Sequence, residues 1–159
     1  MTDQPPEPAG HLRPVSAGAL ALWAVAGLAL GFAAHPLLES WLGSAPLITW
    51  LPAGLLFFAA AVLAVTARAT HQAMTGKRER PPAHQMVNRF VLARACALVG
   101  ALVAGGYAGY ALSWVGAGVE LASERMWRSG VASLGGVTLV VAAVFLERAC
   151  RVRSDDDEA

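Results

Sequence analysis

Charge is what this sequence has least of. Asp, Glu, Lys and Arg make up 14% of its 159 residues, and Lys77 is the sole lysine. A soluble domain carries roughly 25% charged residues. With 56% hydrophobic residues and a mean hydropathy of +0.51, the chain has too little polar surface to cover a globule. A membrane protein is therefore the expected class. The formal net charge of +1 says little about partners, and nothing in it points to nucleic acid.

Catalytic and metal-binding chemistry is equally thin. The two cysteines, Cys96 and Cys150, are too few for a disulfide framework and read as small apolar side chains. His11, His35, His71 and His84 are scattered, without metal-ligand spacing. The run GKRER contains Gly-Lys but lacks the upstream glycine and the strand of a phosphate-binding loop. There is no nucleophile–base pair and no pair of carboxylates, and the acidic run from Asp155 to Glu158 reads as a solvated tail. No catalytic residue, metal or cofactor is expected, and the chain is not read as an enzyme.

Long apolar runs are what the sequence does have. A membrane helix needs about 20 mostly apolar residues to cross about 30 Å of hydrocarbon. Four segments qualify, at about residues 17–34, 46–67, 90–115 and 130–146. The expected fold is all-α, a polytopic membrane protein with four transmembrane helices in a compact bundle. Residues 1–14, rich in proline and polar groups, are expected to be disordered. Residues 15–150 form the membrane domain, with a basic loop at 68–89, and 151–159 are an acidic tail. A turn is expected at His35-Pro36. Ser44 is a plausible N-cap for the second span, Pro46 suits its first turn, and Pro52 should kink it. Gly76 and Pro81-Pro82 break the central connection, whereas ELASERMWRS has helical propensity ahead of the fourth span. The first span is longer than a signal-peptide core, and its leader carries Asp3 and Glu7 beside Arg13, so it reads as a span.

Orientation follows the Lys/Arg bias of the loops. The central loop carries Arg68, Lys77, Arg78, Arg80 and Arg89, and the tail carries Arg148, Arg151 and Arg153. The first loop has no basic residue, and the third has Arg125 and Arg128. Both termini and residues 68–89 are therefore expected in the cytoplasm, with the chain multi-pass in the plasma membrane. Trp41, Trp50, Trp114 and Trp127 fall at the two external loops and form an expected interfacial belt. The basic loop can contact anionic lipid headgroups, although a topology signal alone accounts for it.

Arg94 is the one charge within an apolar span. At about 1.5 Å per residue it lies some 6 Å inside Phe90, shallow enough for its head to snorkel to water. Glu147 ends the fourth span on the same side and is its expected ion-pair partner. Gly100 with Ala104, Gly105 with Gly109, and Gly27 with Gly31 are small-xxx-small pairs. Such pairs let helices approach in lipid, either within the bundle or across a homodimer. Tyr107 and Tyr110 read as packing or interfacial residues. The function expected is a non-catalytic interaction or scaffold subunit with a protein partner. The other reading is a small transporter or channel-like module acting as an oligomer.

The runs VLARACALVGALVAGGYAGYAL and WRSGVASLGGVTLVVAAVFLERACRV, with the acidic end and the PLITWLP segment, carry a resemblance. The chain resembles the small actinobacterial integral membrane proteins of the domain-of-unknown-function family 3180. The resemblance implies four membrane helices and an actinobacterial plasma membrane. It supplies no activity and no functional residues. Members of that family often lie near folate-pathway genes, an association of neighbourhood alone.

Overall fold

The computed structural model describes residues 15–42, 49–74, 83–115 and 122–156. They form four helices, α1 (Ala17–Leu42), α2 (Leu51–Met74), α3 (Ala83–Ser113) and α4 (Ala122–Asp156). The shortest has 24 residues, about 36 Å at 1.5 Å per residue, so each is long enough to cross about 30 Å of hydrocarbon. All four are also apolar enough to do so.

The helix ends differ from the sequence reading in three places. The chain does not turn at His35-Pro36, because α1 continues through Pro36 to Leu42. Proline costs a helix one backbone N–H bond, and here the following turn carries on, with Ser40 Oγ donating to Leu37 O at 2.8 Å. Pro52 does not kink α2 from within. It is the second residue of that helix, where no intrahelical N–H partner is required, and Gly54 N donates to Trp50 O at 3.0 Å. Ser44 and Pro46 lie outside the described residues. Finally, the central connection is shorter than 68–89. Arg68 belongs to α2 and Arg89 to α3, and the helices stop on either side of Gly76, Pro81 and Pro82. The α4 helix starts before its apolar stretch and runs to Asp156. The expected disorder of residues 1–14 falls outside the described residues.

Three interfaces hold the bundle, α1 on α3, α3 on α4, and α4 on α2. Only α3 and α4 are chain neighbours among these pairs; α1 packs on α3 and α2 on α4, each skipping one helix. The α3 and α4 helices form the middle of the row. In the most apolar window of α4, 44% of residues are buried, against 6% in α1.

Each interface is made by small residues. On α1 and α3, Gly27, Gly31, Gly105 and Gly109 bring backbone onto backbone. A Cβ at Gly27 would strike Leu102 O, and one at Gly109 would strike Leu28 O. In lipid such close packing replaces the hydrophobic drive that water supplies. Gly100 and Ala104 face the other way, onto α4. A Cβ on Gly136 would lie 2.9 Å from Ala104, and one on Gly100 would lie 3.0 Å from Val140 Cγ2. Between α4 and α2, a Cβ on Gly135 would meet Leu56 Cβ at 3.0 Å. The largest core cluster lies where α2, α3 and α4 meet, with Ala93, Ala97, Ala143 and Leu146 fully enclosed.

Candidate functional site

The polar and charged groups gather at the two ends of the bundle. One end, called basic below, is where α1 and α3 begin and α2 and α4 finish. The other carries the tryptophans.

At the basic end, α1 starts at a capped turn. Ser16 Oγ accepts from Ala19 N at 3.1 Å, and Ser16 O accepts from Leu20 N at 3.2 Å. Just ahead of the cap, Val15 N donates to Glu147 Oε1 at 2.8 Å. Glu147 is only 4% exposed, so α4 supplies an enclosed carboxylate to the positive end of α1. The α3–α4 contacts step down from Ala104 on Gly136 to Gly100 on Val140. Continued at a turn per step, that register puts Glu147 level with Ala93 and Arg94. Arg94 itself is exposed and takes part in polar contact. A second tie closes the same end, with Arg89 Nη1 of α3 donating to Thr70 Oγ1 of α2 at 3.1 Å. Thr70 is fully buried, and its own hydroxyl donates to Thr66 O at 2.8 Å. Cys96 and Cys150 are free thiols packed at the margin of the core cluster.

At the other end the four tryptophans separate into two kinds. Trp41, Trp50 and Trp127 are exposed, at 86%, 51% and 67%. Trp114 is 5% exposed and is the hub of an aromatic cluster. Its ring lies 4.2 Å from that of His35 and 6.0 Å from that of Tyr110, while the Arg125 guanidinium sits 4.6 Å above it. The indole face attracts the cation through its quadrupole, a contribution of about 0.5–2 kcal/mol. Nearby, Arg128 lies over Trp50 at 5.8 Å and pairs with Glu124 one turn earlier. His35 Nε2 approaches Glu39 Oε1 at 3.2 Å without hydrogen-bond alignment. Trp114 Nε1 and Arg125 Nε are buried with no acceptor among the described residues.

From the sequence Trp114 reads as part of the belt and Tyr110 as a packing or interfacial residue, and nothing there joins them to His35 and Arg125. Tyr110 near the end of α3 and Trp114 just beyond it are one turn apart, which is a usable signal. The contribution of His35 depends on α1 continuing past its apolar run, which the proline obscured. Among the described residues no three His, Cys, Asp or Glu side chains are grouped to hold a metal ion.

Inside the spans, hydroxyls are taken up by helix carbonyls. Ser133 Oγ of α4 donates to Ala104 O of α3 at 2.9 Å, and Thr66 Oγ1 donates to Val62 O at 2.8 Å. The arrangement can anchor helix ends and hold arginine side chains at the two rims.

An all-helical chain of four packed, membrane-length apolar helices is thus defined. Residues 20–154 match the family described as "Protein of unknown function (DUF3180)", and the chain belongs to that family. Neither the curated proteins nor the solved structures include a match to the chain.

Proposed function

We propose that this protein is a non-catalytic interaction or scaffold subunit of the plasma membrane, with both termini in the cytoplasm. The single observation that carries the reading is how the space between the helices is filled. Enclosed alanines and glycine backbone contacts occupy the interfaces, and the span hydroxyls named above donate to helix carbonyls. Transport needs a hydrated or polar path between helices, and small apolar side chains in direct contact supply none. Charged groups instead line the rims, where a partner outside the hydrocarbon can reach them. The Lys/Arg bias of residues 68–89 and of the tail supports a cytoplasmic basic end.

The test is purification from native membranes in mild detergent at native expression. A recurrent partner is expected, and it should be lost when Lys77, Arg78 and Arg80 are replaced by Gln with abundance unchanged. Purification of the chain alone would contradict the reading.

A further inference from the structure

On one flank of the bundle α2 and α4 leave a groove of about 1,000 Å³ between them. That is the upper end of the roughly 300–1,000 Å³ of ligand sites. Its floor on α2 is alanine, with Ala60, Ala61 and Ala64 in line. Small side chains there leave a trough, and Val137, Val141 and Phe145 of α4 form the facing wall. The two helices run in the same direction, so their ends on the basic side lie together. Arg68 of α2 and Arg148 of α4 both line the groove there, and both are exposed.

The length of the trough is informative. Phe57 to Arg68 on α2, and Val137 to Arg148 on α4, each span about 16 Å at 1.5 Å per residue. Half of a hydrocarbon core of about 30 Å is about 15 Å. The largely apolar stretch below the arginines is therefore one leaflet deep, and Arg68 and Arg148, with His71 and Gln72 beyond Arg68, make the groove cationic and polar at the level of the headgroups.

We propose that this groove binds one anionic phospholipid of the leaflet at the basic end. Its phosphate sits against Arg68 and Arg148, and its acyl chains lie along the alanine floor. Guanidinium groups suit phosphate because their planar N–H donors can bond two oxygens at once. Charge complementarity decides the occupant. A free phosphate would have no use for the apolar trough, and an apolar helix of another protein would have no use for two arginines at its mouth. The proposal rests on the four helices crossing a membrane and does not depend on the scaffold reading.

Native mass spectrometry of the full chain in detergent tests it, with added phosphatidylglycerol or phosphatidylcholine of equal chain length. Two arginines near the headgroups should favour phosphatidylglycerol by about tenfold or more. R68A/R148A should abolish that preference, and A64F, which fills the trough, should cut phosphatidylglycerol retention about as far. R94A removes a charge outside the groove and should leave the preference intact. Should R68A/R148A fail to stay monodisperse, a salt series on the wild type gives the reading, with the preference falling as salt screens the arginines. Equal retention of both lipids would overturn the proposal, as would an R94A effect equal to that of R68A/R148A. So would displacement of the lipid by millimolar inorganic phosphate. Release of a bound protein by A64F with lipid retention unchanged would give the groove to a protein partner.

Discussion

Glu147, enclosed near the end of α4, accepts a 2.8 Å hydrogen bond from the backbone N–H of Val15 at the start of α1. A residue late in the chain thus fixes where the first helix begins. Glu147→Ala should leave that N–H without its acceptor and cost roughly 1–3 kcal/mol of bundle stability. Glu147→Gln keeps an oxygen in reach and should cost less. Amide exchange over residues 15–20 should rise in the alanine variant. Unchanged exchange there would mean that the bond does not hold α1.

Arg94 stands level with Glu147 on the neighbouring helix. If the two pair, a double-mutant cycle of Arg94→Ala with Glu147→Gln should give a coupling of about 1 kcal/mol, because an interfacial pair is partly solvated. Additive effects would mean that Arg94 reaches headgroups or other polar groups instead.

The glycines of one chain should respond to alanine with opposite signs. At Gly31 a Cβ would run into Gly106 O, and at Gly105 into Ala24 O, both rigid backbone. Gly31→Ala and Gly105→Ala should each destabilise the chain by about 1–3 kcal/mol, because α1 or α3 must shift. Around Gly130 no side chain or foreign backbone lies within 4 Å of the added carbon. Gly130→Ala should be neutral or stabilise by up to about 1 kcal/mol, the gain in helix propensity. Thermal or denaturant unfolding in one detergent would compare them. Equal effects at all three sites would contradict the close α1–α3 approach.

These contrasts show what the sequence could and could not supply. The four helices were legible because an apolar run of sufficient length needs no partner to declare itself. Their ends were not. Proline reads as a break at residue 36 and as a kink at residue 52, and only the location of the first turn decides which role it takes. Gly105 and Gly109 announced close packing, but nothing local says that Gly27 and Gly31 are what they meet. Trp114 has an unexpected burial, because beside Tyr110 its partners are His35 of α1, far away in the chain, and Arg125 of α4, across a helix connection.

The aromatic cluster offers a test confined to that end. Trp114→Ala removes a nearly enclosed indole from between His35, Tyr110 and Arg125 and should cost about 3–5 kcal/mol. Trp41→Ala and Trp127→Ala, on exposed rings, should change stability far less in detergent. Similar losses at all three would contradict the separation of one buried tryptophan from the exposed ones.

The central claim is that all four helices cross the membrane with the basic end in the cytoplasm, and thiol accessibility tests it most directly. In a background lacking Cys96 and Cys150, a cysteine at Thr75 should resist an impermeant thiol reagent in intact cells, and one at Ser44 should label. Labelling at Thr75 with protection at Ser44 would reverse the orientation, and labelling at both would contradict four crossings.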